Sequence, residues 1–354
     1  MHVLHVVGAR PNFMKLAPVY AALRARGAQQ TVVHTGQHYD PEMSEVFYRD
    51  LELPPPDLNL EVGSGSHAKQ TAEVMARLEP VLLDLKPDVV LVYGDVNSTA
   101  AAALVAAKLL IPLAHVEAGL RSFDRTMPEE VNRIVTDALA DWLFTPSADA
   151  NENLAREGVP SGKIHFVGNV MIDTLVRFLP KAEPPKEWRG LDRYALVTLH
   201  RPSNVDDPMM LARILKALGG LAACLPVIFP VHPRTRRRLA ELGFRPAAAN
   251  GLQLSPPLSY LEFLGLQRGA TLVITDSGGI QEETTFLGVP CLTLRRNTER
   301  TVTVTQGTNV LLGEEPERIV PEARAILEGG RKQGRVPDRW DGQAARRIAE
   351  VLAS

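Results

Sequence analysis

Short apolar runs alternate with longer amphipathic stretches along almost the whole chain. This alternation constrains the fold most strongly, because strands and helices that follow one another in turn build parallel sheets with helices on both faces. In the first half we predict strands at 3–7, 31–35, from 89 onward, 111–116, 142–145 and 164–167. A second series of predicted strands lies at 194–199, 226–231, 271–275 and 290–294.

The domain organisation follows from the gap between the two series. The chain has 354 residues, which is comfortable for two domains of ordinary size. Residues 179–186 are rich in proline and charge, as is typical of a linker. We therefore predict two doubly wound, Rossmann-like α/β domains, 1–170 and 171–337, that face each other across a cleft. A last helix is predicted at about 342–352.

Composition and motifs argue against several kinds of partner. The formal net charge of −2 gives no reason to expect nucleic acid or an anionic membrane. Cys224 and Cys291 are too few for a disulfide framework, and no Cys or His cluster has metal-ligand spacing. Neither half carries the glycine pattern of a dinucleotide site or a triphosphate-binding loop, so no cofactor is expected. The apolar run 3–7 is too short for a signal peptide or a membrane span, which predicts a cytoplasmic protein.

Three acids are predicted to share one edge of the first sheet. Asp95 ends the apolar run that begins at Val89, and Glu117 ends the next one, at 111–116. A strand, a crossover helix and a strand form a right-handed unit, so both carboxylates lie at the carboxyl ends of parallel strands, where such sheets bind ligands. Glu129 opens the following helix. Asp95 could instead cap the helix after it, and Glu129 could be an ordinary first-turn acid, whereas Glu117 has no helix to cap.

A glycine-rich turn follows a buried strand of the second half, at Thr275-Asp276-Ser277-Gly278-Gly279. Such a turn brings backbone N–H groups and the positive end of a helix to bear on a phosphate. Glu282 and Glu283, one turn further on, could bind ribose hydroxyls. The alternative is a tight strand–helix turn with no ligand.

Cations and histidines follow other predicted strands. Arg10 and Lys15 flank the loop after the first strand, where they either contact a diphosphate or are solvated surface charges. His200 and His232 each end a strand of the second half, so both are expected at the ligand-binding edge. The run Arg234-Thr235-Arg236-Arg237-Arg238 is typical of a solvated helix face.

These motifs together resemble the non-hydrolysing UDP-N-acetylglucosamine 2-epimerases over essentially the whole chain. The resemblance rests on a set of ordered motifs, namely Gly8-Ala9-Arg10-Pro11, Thr35-Gly36-Gln37-His38, Gly94-Asp95, His115-Val116-Glu117-Ala118-Gly119-Leu120-Arg121, Pro128-Glu129-Glu130, His200-Arg201, Asp276-Ser277-Gly278-Gly279-Ile280-Gln281-Glu282-Glu283 and Thr298-Glu299-Arg300. It implies a fold of the glycosyltransferase-B type and a homodimer. It also implies a place in cell-surface polysaccharide biosynthesis, with the C-terminal helix, about 338–354, packed back on the first domain.

By position, the resemblance implies roles for individual residues. The acid/base residues would be Asp95, Glu117, Glu129 and His200. The positions that contact UDP would be Arg10, Lys15, Arg133, Phe263, Ser277, Gly278, Gly279 and Glu283. The candidate allosteric positions are Gln37, His38 and His232.

The implied reaction interconverts UDP-N-acetylglucosamine and UDP-N-acetylmannosamine. The hydrogen on C2 is not next to a carbonyl in the ring, so simple deprotonation is not feasible. Elimination of UDP to a 2-acetamidoglucal and its re-addition avoids this difficulty, and it requires acid/base groups on both faces of C2. Two alternatives remain open. The runs Gly36-Gln37-His38-Tyr39-Asp40 and Gly63-Ser64-Gly65-Ser66-His67 also resemble epimerases of UDP-2,3-diacetamido-glucuronate, and a UDP-sugar glycosyltransferase could use the same fold.

Overall fold

The computed structural model describes residues 1–37, 48–244, 251–330 and 332–354. The chain forms two compact units. The first contains Met1–Arg177 together with Asp338–Ser354, and the second contains Phe178–Pro337. The chain therefore passes from the first unit to the second after Arg177, where the sequence predicted residue 170, and it returns after Pro337.

The first unit is built on a parallel sheet. Among the described residues its seven strands are β1 (His2–Val7), β2 (Gln29–His34), β3 (Leu58–Asn59), β4 (Val89–Tyr93), β5 (Leu113–Val116), β6 (Trp142–Thr145) and β7 (Ile164–Phe166). Their order is β3-β2-β1-β4-β5-β6-β7, and every neighbouring pair is parallel. Chain order reverses between β1 and β4, which makes this the switch point where doubly wound sheets bind ligands.

Helices flank this sheet. They are α1 (Arg10–Ala25), α2 (His67–Leu85), α3 (Asn97–Lys108), α4 (Pro128–Leu139), α5 (Ala148–Arg156) and α6 (Val170–Phe178), and a short 3₁₀ helix spans Ser161–Lys163. The predicted alternation of strand and helix is therefore confirmed. The two-residue strand β3 was not predicted.

The helix α2 shows how the sequence produces this packing. Its buried apolar residues Val74, Leu78 and Leu82 recur every four positions, which places them on one face. Ser66 caps the first turn by accepting a hydrogen bond from the Lys69 N–H at 3.3 Å. Leu78 and Leu82 pack into a core with residues of β1, β4 and α3. Each fully buried leucine contributes about 1.5–3 kcal/mol to folding relative to an exposed one.

The second unit repeats the architecture. Its six described strands are β8 (Ala195–Thr198), β9 (Val227–Pro230), β10 (Leu252–Ser255), β11 (Leu272–Thr275), β12 (Cys291–Thr293) and β13 (Asn309–Leu311), in the order β10-β9-β8-β11-β12-β13 with parallel pairs throughout. Its switch point lies between β8 and β11. Two further clusters of buried apolar side chains form its core.

The helices of the second unit are α7 (Pro202–Val205), α8 (Pro208–Ala222), α9 (Pro233–Glu241), α10 (Tyr260–Gly269), α11 (Gly278–Leu287), α12 (Thr301–Thr305) and α13 (Ile319–Leu327). Short 3₁₀ helices span Leu179–Lys181, Lys186–Trp188 and Pro316–Arg318. No helix in the described part of the chain is long and apolar enough to cross a membrane.

The C-terminal segment is anchored to the first unit. It ends in helix α14 (Ala344–Leu352), which packs against α1. The Asp173 carboxylate on α6 accepts hydrogen bonds from the N–H groups of Ala344 and Ala345 at 3.1 and 2.7 Å. The Trp340 indole donates to the Pro146 carbonyl at 2.9 Å. The first two N–H groups of α14 therefore find their acceptor on a distant helix.

Candidate active site

The loop after β1 is tied to the end of β4 by Asn12. Its Oδ1 accepts hydrogen bonds from the N–H groups of Gly8 and Ala9 at 3.0 Å each, and its Nδ2 donates to the Tyr93 carbonyl at 2.9 Å. A Cβ at Gly8 would lie 2.2 Å from Ser98 Oγ, so only glycine fits there. These contacts fix the switch point of the first sheet. The side chain of Arg10, a predicted UDP contact, lies outside the described part of the structure.

Lys15 and Glu117 form a buried ion pair beside this loop. Lys15 Nζ bonds to Glu117 Oε2, and both side chains are about 5% exposed or less. A Cβ at Gly94 would lie 2.6 Å from Lys15 Nζ and 3.0 Å from Glu117 Oε2. Lys15 is thus not a solvated surface charge, which was one of the two alternatives. Two buried ions are costly unless they are paired closely, as these are.

The backbone at Glu117 is in an unfavourable conformation. Its φ is +77°, in the left-handed region that costs a residue with a side chain of order 1–3 kcal/mol. The turn is held because the N–H groups of Glu117 and Ala118 both donate to the Phe144 carbonyl, at 3.1 and 3.0 Å. Strain of this kind persists where the surrounding structure fixes it, and it is common at functional sites.

Asp95 follows β4 and forms an ion pair with Arg133. Its side chain is 22% exposed, whereas that of Arg133 is buried. The alternative in which Asp95 caps α3 is wrong, since Gln37 Oε1 accepts the hydrogen bond from the Ser98 N–H at 3.1 Å. Arg133, a predicted UDP contact, also donates to Glu130 Oε2 at 2.7 Å.

The two acids that open α4 have different environments. Glu130 is buried, and its carboxylate accepts hydrogen bonds from the N–H groups of Ser122 and Phe123 at 2.9 and 2.8 Å. Burial alone would raise the pKa of Glu130, but the hydrogen bond from Ser122 and the contacts with Arg133 outweigh it and lower the pKa. Glu129 is half-buried and makes no hydrogen bond or ion pair with any residue that the structure describes. Of the two acids, Glu129 is therefore the one available for chemistry.

In the second unit, His200 is held by a buried carboxylate. His200 Nδ1 lies 3.0 Å from Asp276 Oδ1, and the His200 side chain is 41% exposed. Asp276 also accepts hydrogen bonds from the Arg201 N–H at 2.9 Å and from Asn204 Nδ2 at 3.1 Å. Burial works to raise the pKa of Asp276, but the contacts with His200 dominate and lower it. The carboxylate therefore orients the imidazole.

His232 lies beside His200, with ring centroids 5.7 Å apart. Its Nδ1 accepts a hydrogen bond from the Arg234 N–H at 3.3 Å, so that it caps α9. Of the other candidate allosteric residues, Gln37 is buried. Its Oε1 accepts hydrogen bonds from the Ser98 hydroxyl at 2.7 Å and from the Ser98 N–H. His38 lies outside the described residues.

The glycine-rich turn after β11 starts a helix, as predicted. The helix α11 begins at Gly278, and the side chain of Ser277 makes no capping hydrogen bond. A Cβ at Gly278 would lie 2.5 Å from Arg300 Nη1, so the guanidinium packs directly on the turn. Arg300 also pairs with Glu282 and Glu299. The helix N-terminus itself is suited to bind an anion, whereas Glu282 and Glu299 offset the charge of Arg300.

Glu283 lies one turn into α11 and is buried. The Tyr260 hydroxyl donates a hydrogen bond to its Oε1 at 3.1 Å. Burial raises the pKa of Glu283 to about 7. Phe263, three residues after Tyr260 on α10, is partly buried and packs on the second-unit core. Tyr260 gave no sequence signal of its own, because its partner Glu283 lies 23 residues further along the chain.

The fold and these residues define a class: an α/β protein of two Rossmann-like units with ionisable side chains at the switch point of each parallel sheet. The sequence model of the UDP-N-acetylglucosamine 2-epimerase family matches residues 21–353. The chain belongs to this family, and with it to the epimerases within the isomerase class. The predicted family and the predicted fold of the glycosyltransferase-B type are both confirmed.

Individual relatives support this assignment. A UDP-N-acetylglucosamine 2-epimerase homolog of Methanococcus maripaludis is 48% identical over 90% of this chain and 91% of its own. The UDP-2,3-diacetamido-2,3-dideoxy-D-glucuronate 2-epimerase of Pseudomonas aeruginosa is 43% identical over 100% of this chain and 99% of its own. The crystal structure of the Methanocaldococcus jannaschii UDP-GlcNAc 2-epimerase, in complex with UDP-GlcNAc and UDP, is similar with a TM-score of 0.92 and 42% identity. The two structures align over 100% of this chain and 99% of the Methanocaldococcus jannaschii chain.

Proposed function

We propose that this protein is a non-hydrolysing UDP-N-acetylglucosamine 2-epimerase, which interconverts UDP-N-acetylglucosamine and UDP-N-acetylmannosamine. The observation that carries the proposal is Glu117, a strand-end acid that is held in a left-handed conformation and paired with the buried Lys15. Asp95, at the end of the neighbouring strand β4, and Glu129, on the next helix, supply further carboxylates at the same edge of the sheet. The UDP-N-acetylglucosamine 2-epimerase of Methanocaldococcus jannaschii is 42% identical over 98% of this chain.

The chemistry requires several acid/base groups. A base removes the proton from C2 while the bond between C1 and the UDP oxygen breaks, so that the electron pair forms the C1–C2 double bond of a 2-acetamidoglucal. An acid then adds a proton to the opposite face of C2, and UDP adds again to C1. Because the proton leaves one face and enters the other, groups on both faces are needed. We assign them to Asp95, Glu117, Glu129 and His200.

The departing UDP carries negative charge that cations and helix ends stabilise. We assign this task to Arg10, Lys15, Arg133 and the N-terminus of α11 at Ser277, Gly278 and Gly279. The start of α11 supports the assignment, because the Ser277 side chain makes no capping hydrogen bond there. Glu283 would accept hydrogen bonds from the ribose hydroxyls, and Phe263 would pack on the uracil.

Incubation with UDP-N-acetylglucosamine in deuterated water tests the reaction. We expect deuterium at C2 and the appearance of UDP-N-acetylmannosamine with no acceptor present, because the proton that is added comes from solvent. Release of free N-acetylmannosamine with UDP would indicate a hydrolysing enzyme instead. The absence of both deuterium and products would contradict the proposal.

Amide substitutions test the individual acids. We expect Asp95→Asn, Glu117→Gln and Glu129→Gln each to lower turnover by about 10²–10⁴-fold, the usual contribution of general acid/base catalysis. UDP alone should still bind to each variant in calorimetry. Glu152→Gln, at an exposed carboxylate on α5, is the matched control and should turn over normally. Near-normal rates in all three variants would refute the assignment.

UDP-2,3-diacetamido-glucuronate is a second candidate substrate, supported by the 43% identity to the Pseudomonas aeruginosa enzyme of that name. Inversion at C2 would follow the same elimination and re-addition. The deuterium experiment with each sugar nucleotide separately distinguishes the two, since the true substrate should show the higher kcat/KM.

The family resemblance also supports a homodimer and a place in cell-surface polysaccharide biosynthesis. We propose both on that ground, and the oligomeric state has a direct test at the scale of the whole molecule.

A further inference from the structure

A buried carboxylate on α4, Asp137, has no role in the chemistry above, yet it contacts the segments that carry two of the proposed acids. Asp137 is 2% exposed. Its Oδ1 lies 2.6 Å from His115 Nδ1, and its Oδ2 accepts a hydrogen bond from the Gly119 N–H at 3.0 Å. Arg121 Nη1 lies 2.7 Å from the same Oδ2. One side chain therefore bonds in two directions, toward β5 and toward the turn that follows it.

The first direction leads to Asp95 through His115. The His115 Nε2 lies 2.7 Å from the Gly94 carbonyl. Since a carbonyl oxygen only accepts, this nitrogen carries a proton, and a second proton lies between Nδ1 and Asp137. Burial opposes ionisation of Asp137, but the contacts with His115 and Arg121 outweigh it and hold its pKa below the ordinary value. These contacts favour the ionised form of Asp137.

The backbone of Gly94 is in this way fixed on both sides. Its N–H donates to the Val116 carbonyl at 3.0 Å, and its carbonyl accepts from His115. Gly94 has a φ of +63°, and Asp95 is the next residue. The peptide between Gly94 and Asp95, whose carbonyl bonds to His115, sets the direction in which the Asp95 side chain leaves the backbone.

The second direction leads to Glu117. Gly119, two residues further on, has a φ of +79°, and a Cβ there would lie 2.5 Å from the Ala150 carbonyl oxygen. Its carbonyl accepts a hydrogen bond from Asn153 Nδ2 at 3.0 Å while its N–H donates to Asp137. The strained turn at Glu117 is therefore held at its far end by Asp137.

We propose that Asp137 is a positioning residue that sets the relative placement of Asp95 and Glu117. It acts on Asp95 through His115 and Gly94, and on Glu117 through Gly119. The proposal rests on the function proposed above, in which both acids move protons at C2 of the sugar. Asp137 itself is buried and does not exchange protons with the substrate.

The substitution Asp137→Ala removes both anchors. We expect kcat to fall about 100-fold, because a displacement of about 1 Å has this effect on a reacting geometry. UDP alone should still bind in calorimetry, because the turn at Gly278 that is assigned to UDP lies in the second unit. Asp137→Asn should recover most of the activity. Its Oδ1 can accept from Gly119, and its Nδ2 can donate to a neutral His115 that still donates to Gly94.

The matched control is Glu157→Gln. Glu157 is 39% exposed and pairs with the far side of the Arg121 guanidinium, so the change alters the same network without touching either anchor. Its kcat should remain normal. If Asp137→Ala does not fold, His115→Ala is tested in its place, because this substitution removes only the link to Gly94. We expect it to lower kcat by a similar factor.

Crystal structures of Asp137→Ala and His115→Ala provide a readout that does not depend on activity. We expect the Gly94 peptide to rotate in both, and the φ of Glu117 to relax in Asp137→Ala. Unchanged loops in the folded variants, or kcat within about threefold of the unmodified chain, would overturn the proposal. Equal loss of kcat in Asp137→Ala and Asp137→Asn would also overturn it. Inactivity of the unmodified chain on both sugar nucleotides would instead contradict the proposed function, while the structures would still test the anchoring.

Discussion

At the scale of single residues, Glu283 shows how burial controls a carboxyl group. It is buried, and the Tyr260 hydroxyl donates to it, but the neighbouring Glu282 works against its ionisation. Its pKa is raised to about 7 by burial, the largest cause. The folded protein therefore holds this proton more tightly than the unfolded chain, in which the pKa is 4.5.

The raised pKa makes the contribution of Glu283 to the free energy of unfolding depend on pH. The contribution of Glu283 to the free energy of unfolding is fully present below pH 4.5 and is lost as the pH rises through about 7. Glutamine does not ionise, so Glu283→Gln should become more stable relative to the unmodified protein as the pH rises, by up to about 3 kcal/mol. Urea unfolding of the ligand-free proteins between about pH 4.5 and pH 8 measures this difference.

The exposed Glu315 provides the control. Glu315→Gln should follow the pH dependence of the unmodified chain, because this substitution leaves the buried Glu283 in place. A difference between Glu283→Gln and the unmodified protein that stays constant with pH would contradict the prediction.

At the scale of elements, α14 depends on an acceptor from another helix. Asp173 on α6 accepts hydrogen bonds from the N–H groups of Ala344 and Ala345, and 171 residues separate Asp173 from Ala344. We expect Asp173→Ala to lower the free energy of unfolding by about 1–2 kcal/mol, the usual cost of a lost helix cap. Hydrogen exchange of residues 344–352 should become faster, because the first turn of α14 loses its acceptor.

A matched control is Asp207→Ala, which removes the side chain that caps α8 through the Met209 N–H at 2.9 Å. It should cost a similar amount of stability and leave exchange in 344–352 unchanged. If exchange in α14 rises equally in both variants, the effect of Asp173 is not local and the prediction is wrong.

Three short strands of the described chain were not predicted from the sequence. The strand β3 has two residues and β13 has three, which is too few for an apolar pattern to be visible, and β10 has only two apolar residues among its four. Each is defined by hydrogen bonds to a neighbouring strand, as Val33 pairs with Leu58 and Cys291 pairs with Asn309. Pairing with a neighbour is a non-local contact that a window of sequence does not contain.

At the scale of the whole molecule, the chain crosses between its two units twice, and the first unit is closed by its own C-terminal segment. The proposed homodimer is tested at this scale. Light scattering during size-exclusion chromatography should give twice the 38.7 kDa mass of one chain. The measured mass should stay the same when the protein is diluted to the concentrations used in activity assays. A mass of one chain with full epimerase activity would contradict the dimer as the active form.

The sequence by itself determined the two parallel α/β sheets, because strand and helix periodicities are local and their alternation leaves few ways to connect them. It also placed Asp95, Glu117, His200 and the turn at Gly278 at strand ends.

Only the tertiary structure decided the partners of these groups. Lys15 pairs with Glu117 across 102 residues, and His200 lies against Asp276, 76 residues further on. Glu130 is buried by its contacts while the adjacent Glu129 is left accessible. The reason is physical: a hydrogen bond or an ion pair depends on a few ångströms in space, and sheet order, rather than distance along the chain, sets which residues come that close.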